Sequence, residues 1–405
     1  MDGFPTRIGY DEASRIVDRV AGERRLARER LAIKRVDGRV LAQDLVAPIN
    51  LPVFDNSRMD GFALRHADLN PQGDTPLRIV GAQFAGPLLG RALGSGECVR
   101  ITTGAPLPAG ADTVVIKEEV REQQGILTVP GGLEAGADIR RAGEDVQVDD
   151  VVLRAGSVLS PARISLAAAL GISELEVSQR PTVAVFTTGD ELVEPGLPLV
   201  PGQIYNSNRE LLMGLLRAEG LEPVAWPVLP DDPARIETAL RDAASAFDLV
   251  ITCGGVSAGE KDHLPALLSA HGGIHFWKVK MKPGMPVLFG HMERALLLGL
   301  PGNPVSVLAT FLTLGRRLLD GLQGRAEPRP RRFARLSAPW TKSHDRLEFL
   351  RGRLHYGQDG VLAVQPNDAD ASHRLRAAAD SDALIVLGEG AQELPAGSVV
   401  EVLVY

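Results

Sequence analysis

Cysteine is almost absent from this chain of 405 residues, which contains only Cys98 and Cys253. Two cysteines cannot build a disulfide framework or a cysteine-rich zinc site. Residues 1–10 lack a basic segment followed by an apolar core, and no stretch approaches the ~18 apolar residues that span a bilayer. We therefore expect a soluble, cytoplasmic protein that makes no membrane contact.

Aromatic residues and excess positive charge are also scarce. Aromatic residues make up 4% of the chain, and 44 Lys and Arg against 51 Asp and Glu give a net charge of −7. Nucleic-acid-binding proteins use a basic face or aromatic stacking platforms. We therefore expect no nucleic-acid partner, and we interpret the arginines of residues 24–30 as a solvated helix face.

Glycine and proline, in contrast, are abundant, with 43 and 28 residues. This abundance predicts many tight turns and short strands. The apolar spacing predicts helices over residues 10–35 and 161–175. Residues 40–160 alternate short β-branched segments with Gly, Pro and Asp, which predicts a β-rich region with long loops.

Residues 181–320 alternate between strand-like and helix-like segments. The predicted strands are 183–187, 224–229, 249–252 and 295–298, and the predicted helices are 209–218, 233–246, 264–270 and 304–319. This rhythm predicts a mostly parallel, doubly wound sheet with helices on both faces. Such a sheet places the loops that follow its strands at one edge, where ligands bind.

The C-terminal part returns to short strands after a linker rich in Gly, Pro and Arg at residues 321–330. The predicted strands are 333–336, 347–354, 361–364, 383–386 and 399–404. Strands of this length and number predict a small β-barrel or sandwich.

Three strand ends of the α/β segment lead into unusual loops, at residues 187–191, 253–262 and 300–306. Glycine in each loop lets a ligand approach the backbone. In the third loop, Asn303 and Pro304 form a good N-cap and first helical turn, which is a natural anion site. Each loop alone could be an ordinary strand-to-helix turn, but three at one edge favour a binding site.

Carboxylates accompany these loops and predict a metal. Glu191 and Asp262 end the first two loops, and Asp231 and Asp232 follow the strand predicted at 224–229. Oxygen ligands beside phosphate-type sites suit Mg²⁺. Capping of the helix that begins at Pro233 is an equally good interpretation of Asp231 and Asp232.

Lysines alternate with apolar residues at Lys278, Lys280 and Lys282. In one continuous strand these three side chains would share a face, which would suit a polyanionic ligand. A solvated edge strand is the alternative. In the β-rich half, residues 55–63, 100–105 and 139–145 are dense in polar turn formers, and structural turns and salt bridges explain them most simply.

Taken in order, these segments resemble the molybdopterin molybdenumtransferase family, MoeA in bacteria, with the gephyrin E-domain as its animal relative. The matching stretches are residues 54–57, 59–61, 103–105, 143–145, 188–192, 254–257, 282–284 and 301–306. Each stretch is weak alone, but their joint order is specific. Two departures are Met285, where the family often has lysine, and Ala371 in the C-terminal Gly-Ser-His pattern.

The resemblance implies a multidomain α/β fold. A central doubly wound α/β domain of the molybdopterin-binding type would be joined by a β-rich domain, a mixed helical linking domain and a small C-terminal β-barrel. The expected boundaries are 1–54 with 143–180 for the linking domain, 55–142 for the β-rich domain, 181–324 for the α/β domain and 328–405 for the barrel.

The resemblance also implies a function. Such proteins take adenylylated molybdopterin and molybdate, release AMP and leave molybdenum on the dithiolene, with Mg²⁺ assisting. They are homodimers whose cleft lies between the α/β domain of one subunit and the β-rich domain of the other. Contact with an adenylyltransferase partner and with molybdoenzymes is a further expectation. The alternatives are a molybdopterin adenylyltransferase and a non-enzymatic scaffold of the gephyrin type.

Motif matches assign the site residues. The residues expected to be catalytic are Asp60, Thr103, Asp145, Glu191, Asp231, Asp262, Lys278 and Lys282. The residues expected to bind substrate are Arg140, Thr188, Gly189, Gly254, Gly255, Ser257, Pro301, Gly302, Pro304, Ser306, Arg351 and Ser372. Glu191 and Asp262 are the expected Mg²⁺ ligands. We expect Ser257, Lys282, Ser306 and Asp262 to converge on one pocket.

Overall fold

The computed structural model describes residues 3–88, 90–257, 262–368 and 371–405. The N-terminal elements are β1 (Thr6–Ile8), α1 (Tyr10–Glu23), β2 (Arg28–Ala32) and β3 (Leu45–Val46). Helix α1 buries one face, which includes Val17 and Val20, because these side chains recur at helical spacing. None of the helices in these ranges has the length and apolar character that crossing a bilayer requires.

The β-rich part follows as a six-stranded sheet. Residues 56–140 form this sheet and one further strand pair. They contain β4 (Asn56–Ser57), β5 (Gly61–Leu64), β6 (Thr75–Gln83), β7 (Glu97–Ile101), β8 (Thr113–Ile116), β9 (Arg121–Gln123), β10 (Ile126–Val129) and β11 (Ile139–Arg140). The sheet order is β8-β5-β7-β6-β10-β9, and β11 pairs separately with β4. The predicted β-rich character of this region is confirmed.

Two segments far apart in sequence pair in separate two-stranded sheets. The second segment contains β12 (Val151–Leu153), α2 (Pro161–Ala169) and β13 (Glu174–Ser178). Strand β13 pairs with β2, and β12 pairs with β3, both antiparallel. Ser160 caps α2 by accepting a hydrogen bond from the Arg163 amide.

Both predicted helices of these two segments are too long. The prediction of helix over 10–35 is wrong beyond Glu23, because Arg28–Ala32 is a strand whose partner lies about 140 residues later. The helix predicted over 161–175 ends at Ala169, and residues from Glu174 form that partner strand. The apolar spacing of Leu26 and Leu31 fits a helix, but tertiary pairing overrides this local preference.

The α/β part is a seven-stranded, mostly parallel sheet. Its elements are β14 (Val183–Thr187), β15 (Leu192–Val193), β16 (Ile204–Tyr205), α3 (Ser207–Ala218), β17 (Val224–Ala225), α4 (Pro233–Ala246), β18 (Leu249–Cys253), α5 (Leu264–His271), β19 (Gly272–Val279), β20 (Met281–Lys282), β21 (Leu288–Met292), β22 (Ala295–Leu300), α6 (Pro304–Thr310) and α7 (Arg316–Leu322). The sheet order is β1-β19-β21-β22-β18-β14-β17.

Helices cover both faces of this sheet, as predicted. One buried cluster joins the sheet to α1, α3, α6 and α7, and a second cluster joins it to α4 and α5. Strand β21 is the antiparallel member and pairs with both β19 and β22. The helix predicted over 304–319 is interrupted by a π-helical turn at Phe311–Gly315.

The C-terminal part is a closed barrel. Its elements are β23 (Arg332–Leu336), β24 (Trp340–Lys342), β25 (Leu347–Tyr356), β26 (Leu362–Pro366), α8 (Leu375–Ala379), β27 (Ala383–Leu387), β28 (Gln392–Leu394) and β29 (Val399–Val404). The order β25-β26-β23-β29-β27 closes because β27 also pairs with β25. Strand β20 of the α/β part extends the barrel by pairing with β25. The multidomain α/β fold with a small C-terminal barrel is therefore confirmed.

Candidate active site

The carboxyl ends of three central strands meet at one edge of the α/β sheet. The parallel register places Thr187 of β14 beside Cys253 of β18, and Cys253 beside Leu300 of β22. The loops that follow these three residues therefore begin side by side, which is where ligands bind in open α/β sheets. The predicted convergence of the three loops is present, although residues 258–261 of the second loop lie outside the described residues.

A cavity of about 470 Å³ lies at this edge. It is lined by Thr187, Thr188, Gly189, Glu191, Leu192, Ile204, Tyr205, Asn206, Ser207, Asn208, Asp231, Cys253, Gly254, Gly255, Asp262, Gly302, Asn303, Pro304, His373 and Leu375. Its volume falls in the usual range for small-molecule sites. The cavity thus brings together three predicted acids, five predicted glycine or proline positions and Thr188.

Backbone hydrogen bonds join the three loops where they begin. The Thr188 amide donates to the Cys253 carbonyl at 3.1 Å, and the Gly254 amide donates to the Leu300 carbonyl at 3.0 Å. Gly254 has a φ of 94°, and a β-carbon there would lie 2.9 Å from Thr188 Oγ1. The close approach of these loops therefore requires glycine at position 254.

Two adjacent aspartates after β17 have different roles. Asp232 caps α4, because its Oδ1 accepts hydrogen bonds from the amides of Ala234 at 2.9 Å and Arg235 at 3.2 Å. Asp231 lines the cavity, and its amide donates to Asp190 Oδ1 at 3.1 Å. The capping interpretation therefore applies to Asp232, while Asp231 is the acid that faces the cavity.

Two asparagines of the cavity are not among the residues predicted from the sequence. The Asn206 amide group donates to Thr187 Oγ1 at 2.8 Å, and the Asn208 amide group donates to the Gly302 carbonyl at 2.7 Å. They tie the start of α3 to the ends of β14 and β22. A signal was available, since Asn206 is a favoured N-cap residue three positions before the helix predicted at 209–218, and the observed α3 begins directly after it.

The C-terminal barrel reaches the cavity through one short segment. The Asn303 amide group donates to Ser372 Oγ at 3.0 Å, and His373 and Leu375 line the cavity. Asn303 is the N-cap residue of α6, as predicted, but its side chain bonds Ser372 and does not cap the helix. His373 is a further residue that sequence reasoning missed, although it follows the predicted Ser372 directly.

Several predicted residues lie away from this cavity. Ser257 is exposed, Pro301 and Ser306 are buried, and the Arg351 side chain is buried in the barrel. The Ser306 amide donates to the Asn303 carbonyl at 2.9 Å within the first turn of α6. Of the four residues expected to converge on one pocket, Asp262 lines the cavity, and the described lining does not include Ser257, Ser306 or Lys282.

The predicted common face of three lysines is wrong. Lys278 has a φ of 68°, which interrupts the alternation of side chains along the strand. Its ammonium group lies 4.1 Å from the centre of the Trp277 ring, and the Trp277 indole donates to the Val256 carbonyl at 2.8 Å. Lys278 is therefore placed next to the second loop, whereas Lys282 forms an ion pair with Glu348 of the barrel at 2.9 Å.

The β-rich part has its own polar cluster. Asp60 Oδ1 accepts hydrogen bonds from the Thr103 amide at 2.9 Å and the Thr103 hydroxyl at 3.0 Å, and the Lys117 ammonium group lies 3.7 Å from Oδ2. The Thr103 amide, and then its hydroxyl, lower the pKa of Asp60. Asp60 therefore stays ionised at neutral pH, and it is exposed to solvent.

Arg140 and Asp145 are the other two predicted site residues of the N-terminal half. Arg140 is half-buried in β11, opposite Asn56, and Asp145 is exposed, with its amide bonded to the Leu51 carbonyl at 3.0 Å. The described cavity lining contains neither of these residues, nor Asp60 or Thr103. Within one chain, these four predicted residues of the N-terminal half are therefore separate from the predicted residues that line the cavity.

Two acids of the cavity are candidate ligands for Mg²⁺. The described residues contain no group of three or more His, Cys, Asp or Glu that could hold a metal ion. Mg²⁺ usually takes one or two carboxylates and completes its shell with water and substrate phosphates. Glu191 and Asp262 line the same cavity and could supply such a partial donor set.

Family models match most of the chain. The MoeA N-terminal region, domains I and II, matches residues 8–171, a probable molybdopterin binding domain matches 184–321, and the MoeA C-terminal region, domain IV, matches 334–405. A molybdopterin molybdenumtransferase of Haemophilus influenzae is 41% identical over 92% of this chain and 93% of its own length. The chain belongs to the MoeA family.

Other similarities support the same conclusion. Molybdopterin molybdenumtransferase 2 of Mycobacterium tuberculosis is 39% identical over 91% of this chain and 93% of that protein. The crystal structure of the molybdopterin biosynthesis MoeA protein from Pyrococcus horikoshii OT3 superposes with a TM-score of 0.83 at 27% identity. That similarity covers 98% of this chain and 100% of the Pyrococcus chain, so this MoeA chain shares its whole architecture.

Proposed function

We propose that this MoeA protein is a cytoplasmic molybdopterin molybdenumtransferase of molybdenum cofactor biosynthesis. In the proposed reaction, molybdate supplies the metal for the dithiolene of adenylylated molybdopterin, the phosphoanhydride is cleaved and AMP is released. One observation carries the proposal: Glu191, Asp231 and Asp262 line a single cavity beside three converging loops. All the lining residues except His373 and Leu375 belong to the segment matched by the molybdopterin-binding family model.

The chain's own residues would bind and orient the substrates. Gly254 lets the second loop pack closely against Thr188, and Gly255, which has no β-carbon, would let phosphate oxygens approach the backbone of this loop. Lys278, placed beside this loop, would balance negative charge on phosphate or molybdate. Asn206 and Asn208 hold the loops at fixed positions, which limits reorganisation during the reaction.

Glu191 and Asp262 are the proposed Mg²⁺ ligands. Bound Mg²⁺ would polarise the phosphoryl oxygens and stabilise negative charge as the anhydride is cleaved. Asp231 faces the same cavity and would orient the ion's water shell or the phosphate. Because two carboxylates alone hold Mg²⁺ weakly, we expect Mg²⁺ binding to strengthen when the nucleotide is present.

AMP release tests the proposal directly. Purified protein, Mg²⁺, molybdate and adenylylated molybdopterin should yield AMP, and Asp262→Asn should abolish this release with little change in stability. Asp74→Asn is the control, because Asp74 is an exposed acid of the β-rich part. Failure of the wild type to release AMP would reject the enzyme proposal, and equal activity of Asp262→Asn would favour a scaffold of the gephyrin type.

The adenylyltransferase alternative has a separate test. Incubation with ATP and molybdopterin should give no adenylylated product if the proposal is right. Formation of that product by this chain alone would favour the adenylyltransferase instead. Contact with a separate adenylyltransferase, and with recipient molybdoenzymes, belongs to the same proposal, because the nucleotide intermediate must come from one protein and the product must go to another.

We further propose that the active cleft needs two copies of the chain. Asp60, Thr103, Arg140 and Asp145 are absent from the described lining of the cavity in the same chain, and Asp60 and Thr103 form an exposed polar cluster. In a homodimer, these residues of one subunit would complete the cavity of the other. In a mixed dimer with Asp60 mutated in one subunit and Asp262 in the other, both mutations would then fall in the same cleft and leave the second cleft intact.

Subunit mixing tests this arrangement. Asp60→Asn and Asp262→Asn homodimers should each be inactive. After dissociation and reassociation of an equal mixture, half of the dimers contain one intact cleft, so about a quarter of wild-type activity should return. No recovery, in a mixture shown by mass spectrometry to contain heterodimers, would contradict a shared cleft.

A further inference from the structure

Two histidines lie side by side on neighbouring strands of the α/β sheet. His291 Nδ1 lies 3.3 Å from His275 Nε2, and the ring centres are 5.1 Å apart. Both side chains are half-buried, so one side of the pair faces solvent. Neither residue belongs to the cavity described above.

The backbone creates this juxtaposition. His291 of β21 is paired in register with Gly273 of β19, and the register shifts between Ile274 and Phe276. The shift places His275 next to His291 on the same face. A β-carbon at Gly273 would lie 2.3 Å from the His291 ring, so only glycine leaves space for the ring there.

The His275–His291 pair is remote from the cavity. His291 is opposite Leu296, near the start of β22, whereas Leu300 at the other end of that strand lies at the cavity edge. Four residues of strand separate them by roughly 13 Å. The pair therefore has no direct access to the proposed substrates.

We propose that His275 and His291 form a chelating site for a divalent transition-metal ion such as Zn²⁺. Two nitrogens bound at 2.0–2.1 Å to a tetrahedral zinc ion are separated by about 3.4 Å. The 3.3 Å distance between the two nitrogens, which now share a hydrogen bond, is close to that spacing, and on metal binding the donor ring would carry its proton on its other nitrogen. Imidazole nitrogen is a good ligand for Zn²⁺, Ni²⁺ and Cu²⁺ but not for Mg²⁺, so this site differs in class from the acidic cavity.

The surroundings keep the rings available as ligands. Burial, then the charges of His291 and Arg24, lower the pKa of His275 to about 4, and burial and Arg24 lower the pKa of His291. Metal binding requires the ligating nitrogen of each ring to be unprotonated. The nearby guanidinium of Arg24 opposes a cation, although its Nη1 donates to the Arg294 carbonyl at 3.0 Å, so we expect a water-completed site of moderate affinity.

Calorimetric titration of the untagged full-length protein with ZnCl₂ at pH 7 tests the site. We expect one site with a Kd tighter than about 1 mM. His275→Gln and His291→Gln should each weaken binding at least about tenfold. His355→Gln and His373→Gln should leave binding unchanged, because the first removes an exposed histidine of the barrel and the second removes the cavity histidine.

Cu²⁺ provides a second readout that does not depend on affinity. The paramagnetic resonance spectrum of bound Cu²⁺ should show coupling to two imidazole nitrogens, reduced to one in either glutamine variant. Equal zinc binding by wild type and His291→Gln, or loss of binding only in His373→Gln, would overturn the proposal. These outcomes are independent of AMP release, so the site stands or falls separately from the proposed enzyme.

Discussion

The ammonium group of Lys282 lies 2.9 Å from the carboxylate of Glu348, and the two residues are also register partners between β20 and β25. Glu348 is nearly fully buried, and His344 Nε2 lies 3.4 Å from its other oxygen. This contact joins the chain segment that follows β19 of the α/β sheet to the barrel that contributes Ser372 and His373 to the cavity region. It therefore couples the position of the barrel to the candidate site.

We expect Glu348→Gln to destabilise the protein by about 1–3 kcal/mol, because a charged hydrogen bond at a buried position is lost. Urea unfolding followed by fluorescence measures this difference. Glu393→Gln, at an exposed position of β28, is the control and should change stability by less than about 0.5 kcal/mol. Equal midpoints for the two variants would show that the Lys282–Glu348 contact contributes little.

Substitutions of the two neighbouring aspartates after β17 should have opposite effects on activity and stability. Asp231→Asn should reduce AMP release about 10- to 100-fold with little change in stability, because Asp231 lines the cavity. Asp232→Ala should keep the activity and lose about 1 kcal/mol, because it removes the cap of α4. Activity assays and thermal unfolding of both variants check this. The reverse pattern would assign the functional role to Asp232.

The sequence predicted the α/β elements best where local signals agree. The bounds of β14 and α4 are as predicted, because a short strand rich in β-branched residues and a proline in the first helical turn are clear local patterns. The loops of this region also converge as predicted, since a parallel register leaves them no other edge. Local pattern and topology were therefore sufficient for the core of the candidate site.

Features that depend on tertiary contacts or on the backbone conformation of one residue could not be predicted from local sequence patterns. Strand β2 was interpreted as helix because its partner β13 is distant in sequence. The prediction that three lysines share one face was wrong because a single residue, Lys278, has a left-handed backbone conformation. A two-residue periodicity in the sequence cannot reveal such a conformation. His373 enters the cavity through the placement of the barrel on the α/β part, which depends on tertiary contacts such as Asn303–Ser372.

Asp60 should titrate below the ordinary range for aspartate. Its pKa is lowered first by the Thr103 amide and then by the Thr103 hydroxyl, so Thr103→Val should raise the pKa only part of the way back. Because the folded-state pKa lies below the unfolded one, ionised Asp60 stabilises the fold at neutral pH. That contribution is lost as the pH falls through the folded-state value. Carbon-13 NMR titration of the carboxyl group measures both pKa values, and an unchanged midpoint in Thr103→Val would contradict the role of the hydroxyl.

Gly254 and Gly171 provide a matched pair for the loop contact at the cavity. Both have positive φ, 94° and 78°, so alanine at either position should cost about 1 kcal/mol of backbone strain. At Gly171 an added β-carbon meets nothing within 4 Å, whereas at Gly254 it lies 2.9 Å from the Thr188 hydroxyl and 3.0 Å from the Thr188 carbonyl.

Gly254→Ala should therefore displace Thr188 and lower kcat/KM for AMP release by about 10- to 100-fold, since small displacements of a substrate-positioning loop have effects of this size. Gly171→Ala should keep wild-type kcat/KM despite a similar loss of stability. Steady-state kinetics at a temperature where both variants remain folded separates the two effects. If both variants lose activity in proportion to their loss of stability, the Thr188–Gly254 contact has no specific role in the site, because backbone strain alone then accounts for the loss.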